Sequence, residues 1–200
     1  MSSLYPIFLK LENKKCLVAG GGPVAERKVI TLLDAGALVT VIAPVLSEKL
    51  ETLNACGMII CEKRKFKRGD LKGYYLAIAS TSVSEVNKKI YEEAVRKGIL
   101  INSVDDPANS NFFVPSSIKR GCFQVAISTS GKVPYFSKKV RQFLEKKLYK
   151  ELGDDVEMLN KLRNKIIEES KNNRELKDKK FEQVLKPKID GILKKVEKKW

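Results

Sequence analysis

Two short segments of this chain carry residues whose types and spacing could do chemistry. In the first, Cys16-Leu-Val-Ala-Gly20-Gly-Gly22-Pro-Val-Ala25-Glu-Arg-Lys28, an apolar run enters Gly20-x-Gly22-x-x-Ala25 and then a helical pattern. That sequence of strand, glycine turn and helix is the order of parts in a dinucleotide-binding unit. Gly20 allows the tight turn, Gly22 lets the backbone approach a pyrophosphate, and the small Ala25 lets the helix pack close to the strand. The anion would rest at the helix N-terminus, where unpaired N–H groups and the helix dipole favour it. The plain alternative is a glycine turn with a structural purpose only.

The second segment, Ile99-Leu-Ile-Asn102-Ser-Val-Asp105-Asp106-Pro107, ends a strand-like run on adjacent carboxylates. In an extended chain these two point in opposite directions, so one of them faces the crevice. A carboxylate there could take a proton while a hydride leaves for a nicotinamide. Turn chemistry, favoured by both Asp and Pro, accounts for the same residues equally well.

The elements that must position these groups follow from the patterning. Strands are expected at Lys15–Ala19, Leu38–Ile42, Met58–Cys61, Tyr75–Ala79 and Ile99–Val104, with helices at Val24–Leu33, Ser47–Ala55 and Val83–Lys97. Alternation of this kind gives an α/β fold: a Rossmann-like doubly wound parallel sheet whose crevice opens at the strand C-terminal ends. After Pro115 the pattern changes. Phe123–Ser128 reads as one more strand, Thr129-Ser-Gly-Lys132 as a loop, and Pro134 as a helix start. Phe136, Val140, Phe143, Leu144 and Leu148 then recur at helical spacing. From Asp154 the chain is helical and rich in Lys and Glu, with one apolar stripe around Leu162 and another around Pro187. Both stripes read as packing seams. Low complexity is confined to the Lys-rich stretch Lys194–Trp200.

Composition excludes several classes. The chain has 200 residues, 43% hydrophobic and 32% charged, which suits a globular protein rather than a disordered one. No apolar run reaches the roughly 18 residues of a membrane span. The N-terminal residues lack a basic start followed by a long apolar stretch, so a cytoplasmic protein without a secretory signal is expected. Absence of histidine rules out histidine triads and histidine bases, so acid–base work falls to Asp, Glu, Lys, Tyr or Cys. Cys16, Cys56, Cys61 and Cys122 show no CxxC pairing, and buried reduced thiols with no resident metal are expected.

Charge is uneven. Residues 1–113 carry 16 Lys+Arg against 12 Asp+Glu, whereas residues 114–200 carry 23 against 12. The basic second half implies an anionic partner or a solvated Lys-rich surface. At the tip of the second strand, Val41-Ile-Ala-Pro-Val-Leu-Ser47 offers no Asp, Glu or Arg. An adenosine ribose there would be held by backbone groups or Ser47, and NAD is not distinguished from NADP.

Taken together the motifs resemble the precorrin-2 dehydrogenase family, which includes the bifunctional sirohydrochlorin ferrochelatases of sirohaem synthesis. The matching residues are Tyr5-Pro-Ile-Phe8, Gly20-Gly-Gly-Pro-Val-Ala-Glu-Arg-Lys28, Leu33-Asp-Ala-Gly36 and Val39-Thr-Val-Ile-Ala-Pro44. Leu76-Ala-Ile-Ala-Ser80-Thr81, Asn87, Asn102-Ser-Val-Asp105, Phe112-Phe-Val-Pro-Ser116 and Val125-Ala-Ile-Ser128-Thr129 complete the set. The resemblance covers about residues 4–150 and implies NAD-dependent oxidation of precorrin-2 to sirohydrochlorin by a homodimer. It implies an NAD-binding domain at residues 1–113, a dimerisation and tetrapyrrole-pocket region at 114–150, and a helical basic domain at 151–200.

Residue by residue, the resemblance makes Asp105 the active-site carboxylate. It makes Gly20, Gly22, Pro23, Val24, Ala43, Pro44, Val45, Ser80 and Thr81 the cofactor positions, and Asn102, Ser116, Ser128, Thr129 and Lys132 the substrate positions. One departure affects the loop: Ser130-Gly131-Lys132 stands where a Gly-Gly pair is frequent. Family members are dehydrogenases alone or also insert Fe2+ or Co2+, and both alternatives stay open. An eight-carboxylate substrate agrees with the basic second half, where Lys119, Arg120, Lys132, Lys138 and Arg141 are candidate clamps. The rival readings are a non-enzymatic NAD-sensing module and a nucleic-acid-binding tail; the tail has few aromatics and no recognition motif.

Overall fold

Runs of β-branched and small apolar residues alternate with amphipathic helices through the first half of the chain, and they assemble as their patterns require. Strands β1 (Lys15–Ala19), β2 (Leu38–Ile42), β3 (Ile60–Glu62), β4 (Leu76–Ala79) and β5 (Leu100–Ser103) form one parallel sheet, ordered β3-β2-β1-β4-β5. Helices α1 (Pro23–Asp34), α2 (Glu48–Ala55) and α3 (Ser84–Arg96) provide crossovers. The order reverses at β1, so the crevice for a ligand opens beyond the C-terminal ends of β1 and β4. The computed structural model describes residues 4–171 and 173–198; the last two residues of the Lys-rich stretch lie outside the described residues. The chain divides after Val114 into two compact units.

Parallel strands are buried on both faces, and the apolar residues divide accordingly. On one face Cys16 and Val18 pack with Ala25, Val29 and Leu32 of α1 and Leu50 of α2. On the other, Leu17, Ala19 and Ile101 pack with Ile90 and Ala94 of α3. Each fully buried Leu, Ile or Val side chain contributes roughly 1.5–3 kcal/mol. No helix joins β3 to β4; turns run from 63 to 75, and Phe66, Leu71 and Tyr74 cover the second face there. That loop is pinned twice. Arg64 meets both oxygens of Asp70 at 2.7 and 2.9 Å, and the Gly69 N–H donates to buried Glu93 at 3.0 Å.

The second unit holds a hairpin of β6 (Ser116–Arg120) and β7 (Phe123–Ile127), antiparallel and separate from the large sheet. Among the described residues four helices follow: α4 (Pro134–Lys147), α5 (Leu152–Ser170), α6 (Arg174–Lys180) and α7 (Lys186–Glu197), with a π-helical turn at Phe181–Leu185. β7 is expected from its alternation, but β6 is not. Its only fully buried side chain is Ile118, set among Ser, Lys and Arg, and cross-strand pairing with Val125 makes it a strand. Of the two helical stripes, Ile166 and Ile192 are buried while Met158, Ile167, Val184, Ile189 and Leu193 stay exposed, so the seams are only partly filled.

The cysteines are free, as expected, but only Cys16 is buried; Cys61 is half-buried, and Cys56 and Cys122 are exposed. Burial pushes the Cys16 thiol up to about 11, which keeps it unreactive.

Candidate functional site

At the C-terminal edge of β1 the glycine turn has three distinct jobs. Gly20 adopts φ +131°, its N–H donates to the Ile42 carbonyl at 3.0 Å, and a Cβ there would lie 2.5 Å from the Ser80 carbonyl. Only glycine fits. Gly21, to which the spacing rule assigns nothing, is equally constrained, because a Cβ on it would collide with the Val45 carbonyl oxygen. Its own carbonyl accepts from the Ser47 N–H at 2.8 Å, which closes the β2–α2 loop over the turn. Gly22 differs from both. A Cβ there meets nothing within 4 Å, and the residue is the N-cap of α1 with no side-chain cap bond.

An open surface over Gly22 and the uncapped first turn of α1 fit a dinucleotide pyrophosphate. Pro23 begins α1, where its missing N–H costs nothing, and Val24 and Ala25 follow it. Ala25 is fully buried against the sheet, as the small residue at that position requires.

The flanking loops carry the other positions expected to meet a cofactor. Ala43 is buried, whereas Pro44 and Val45 are exposed at the tip of β2. Ser47 is not free for a ribose. Its hydroxyl donates to Glu26 Oε2 at 2.9 Å and accepts from the Leu50 N–H at 3.4 Å as the N-cap of α2. Beyond β4, the Ser80 hydroxyl donates to the Ala19 carbonyl at 3.1 Å. Thr81 is held by buried Asn87. The Asn87 side chain accepts from the Thr81 N–H (3.2 Å) and hydroxyl (2.8 Å) and donates to the Thr81 carbonyl (3.0 Å).

The carboxylate pair resolves into two roles. The chain is not extended here, because β5 ends at Ser103 and a turn follows. Asp106 does turn chemistry: its carboxylate caps the 3₁₀ turn Pro107–Asn109 and accepts from the Asn109 side chain at 2.6 Å. Asp105 is exposed and left-handed, φ +59°, a strained setting for a non-glycine residue and one that recurs at functional sites. The turn is rigid, since Ser110 accepts from the Ser103 N–H at 2.9 Å and donates to the Asp106 carbonyl at 2.9 Å. Asn102 faces inward and donates to the Phe112 carbonyl at 3.1 Å. The Ser103 hydroxyl is buried with no hydrogen-bond partner among the described residues.

Lys28, which the motifs leave without a role, lies in the field of Asp105. Burial pushes its half-buried ammonium below the usual lysine range, Arg27 pushes the same way, and the Asp105 charge opposes both. The cation on α1 and the carboxylate after β5 therefore share one field. Its position in the helix after the glycine turn was the available signal.

In the second unit Ser128, Thr129 and Lys132 share the β7–α4 loop, and Ser116 sits on β6. Both loop hydroxyls shape the turn: Ser128 Oγ accepts from the Ser130 N–H at 3.0 Å, and Thr129 Oγ1 from the Val133 N–H at 3.1 Å. Ser130, in the stretch where the resemblance implies a Gly-Gly pair, takes φ +54°, so the loop has a glycine-like path with a serine in it. Two of the basic candidates are engaged. Arg120 donates to the Glu145 carbonyl at 3.1 Å near the end of α4, and Arg141 pairs with Glu145 at 2.6 Å. Lys119, Lys132 and Lys138 are exposed. Among the described residues no group of three or more His, Cys, Asp or Glu could hold a metal ion, and no helix is long and apolar enough to cross a membrane.

Comparison with known proteins agrees with this geometry. A family model described as NAD(P)-binding matches residues 7–116. Siroheme synthase 1 of Aeromonas salmonicida is 45% identical over 148 residues, covering 74% of this chain and 32% of that protein. Siroheme synthase 3 of Aeromonas hydrophila is 43% identical over 161 residues, covering 80% of this chain and 34% of that protein. The chain thus spans about a third of the length of the curated relatives it matches. A solved structure titled "SirC, precorrin-2 dehydrogenase" superposes with a TM-score of 0.75 at 25% identity, covering 98% of this chain and all of that one. The resemblance drawn from the motifs is borne out.

Proposed function

This chain belongs to the NAD(P)-binding family, and from that premise we propose that it oxidises precorrin-2 to sirohydrochlorin with NAD. The observation that carries the reading is the placement of Asp105. An exposed carboxylate, held left-handed on a rigid turn, stands at the same sheet edge as an uncapped glycine turn with open space above Gly22. Bound NAD supplies the hydride acceptor. Asp105 takes the proton released as the macrocycle loses its hydride, and Lys28 shares the field in which that carboxylate works. The cofactor positions are Gly20, Gly22, Pro23, Val24, Ala43, Pro44, Val45, Ser80 and Thr81. Asn102, Ser116, Ser128, Thr129 and Lys132 are the substrate positions.

A polycarboxylate substrate suits the second unit, where exposed Lys119, Lys132 and Lys138 offer cations to several carboxylates at once. A homodimer through residues 114–150 agrees with Val133, Tyr135 and Phe136, which expose apolar surface in the single chain (51%, 66% and 59%). The same reading leaves two alternatives, a dehydrogenase alone or one that also inserts Fe2+ or Co2+ into its product, and residues 151–200 form the helical basic domain.

The test is an anaerobic assay with precorrin-2 and NAD that follows NADH and sirohydrochlorin together. Stoichiometric appearance of both is expected, and metal-dependent loss of sirohydrochlorin on adding Fe2+ or Co2+ would reveal the second activity. NAD binding without turnover would overturn the reading in favour of a sensing module.

A further inference from the structure

The tip of β2 carries neither an acid to hold an adenosine ribose nor an arginine to hold a 2′-phosphate. We propose that the discriminating group comes instead from α1: Glu26 is the specificity-determining residue that excludes a dinucleotide bearing a 2′-phosphate. The inference rests on reading the glycine turn as the nucleotide site.

Three observations place a fixed negative charge there. First, the β2–α2 loop is closed onto the turn. The Gly20 N–H donates to Ile42, the Ser47 N–H to Gly21, and the Val45 carbonyl fills the space beside Gly21. The adenosine side of the turn is therefore bounded by residues 43–47 and the first turn of α1. Second, Glu26 lies in that first turn, and the Ser47 hydroxyl anchors its Oε2 at 2.9 Å. A carboxylate has acceptor capacity beyond one such bond, so it can still receive a ribose hydroxyl.

Third, two cations that follow β3 are already paired. Arg64, just past the end of β3, is held by Glu62 at 2.6 Å and Asp70 at 2.7 Å. Lys63 is paired with Glu51 at 2.7 Å. Arg27 and Lys49 are exposed, and because successive helix residues point apart, Arg27 leaves the face on which Glu26 meets Ser47. A 2′-phosphate would thus meet an anchored like charge, whereas a 2′-hydroxyl would find an acceptor.

Dissociation constants of the full chain for NAD and for NADP, in wild type and Glu26→Gln, test this. Glutamine keeps the acceptor for Ser47 and removes only the charge. Preference for NAD in the wild type should shrink about tenfold in Glu26→Gln, mainly through tighter NADP binding. Glu26→Asp, which keeps the charge, should retain a clear preference. A preference unchanged in Glu26→Gln, or a wild type that binds both dinucleotides alike, overturns the inference while leaving the nucleotide site standing. A wild type that binds neither overturns the site itself. A merely structural role would weaken both ligands equally and leave the ratio unmoved, which also overturns the assignment.

Discussion

The carbonyl oxygen of Val45 occupies the space that a Cβ on Gly21 would need. The phosphate turn and the β2–α2 loop are therefore packed backbone to backbone, and neither can shift without the other. Gly21→Ala should cost about 1–3 kcal/mol through overpacking and should lower both the melting temperature and NAD affinity. Gly22→Ala is the contrasting case, since its Cβ meets nothing within 4 Å. Its melting temperature should stay near wild type while NAD binding weakens, because only a bound pyrophosphate would meet the new methyl. Thermal melts and NADH fluorescence titration separate the two.

Asn87 tethers Thr81 through its N–H, its hydroxyl and its carbonyl. Asn87→Ala should cost about 1–3 kcal/mol, since it leaves the partners of a buried amide unpaired. NAD should bind more weakly while the rate at saturating NAD changes little. Asn87→Asp, which keeps the acceptor for the Thr81 N–H and hydroxyl, should recover part of the affinity.

The two adjacent aspartates should separate cleanly. Asp105→Asn should lower the rate about 100-fold or more with NAD affinity intact. Asp105→Gly should abolish turnover yet stabilise the first unit by about 1 kcal/mol, because the left-handed backbone at φ +59° suits glycine. Asp106→Ala should instead lose its capping bonds to Asn109, costing about 0.5–2 kcal/mol. Stability and steady-state kinetics on the three variants distinguish the roles.

Stability of the first unit should fall in acid through Asp70. Burial alone would push this carboxyl up, but hydrogen bonds from the Arg64 guanidinium and the Lys67 N–H outweigh it. The result lies below the ordinary 3.8. A group whose folded value is depressed adds stability above its unfolded value, and that stability disappears as pH falls through the folded one. Unfolding free energy should therefore decline below about pH 4. In Asp70→Asn that part of the decline should be absent, as denaturant titrations across the acid range would show.

The first unit was legible because β1, α1 and β2 obey local rules: apolar runs of strand length, a glycine turn and a helical pattern after it. β6 was not, since Ser116-Ser-Ile-Lys-Arg120 becomes a strand only by pairing with β7. Gly21 was missed because its constraint lies in a carbonyl 24 residues away in sequence, and no spacing rule holds that contact. Ser47 looked available for a ligand until the fold brought Glu26 to it. The sequence leaves the Asp105-Asp106 pair an even choice between catalysis and turn-making, and the structure gives the turn to Asp106.

The missing helix between β3 and β4 gives the sheet an uneven resistance to opening. Two helices seal one face, whereas the other relies on α3 and a loop fixed mainly by Arg64–Asp70 and Gly69–Glu93. Backbone amides of β3, an edge strand beneath that loop, should exchange with deuterium well before those of central β1. The fold thus has a soft flank beside a rigid edge at the glycine turn, and damage by protease or acid should begin at the former.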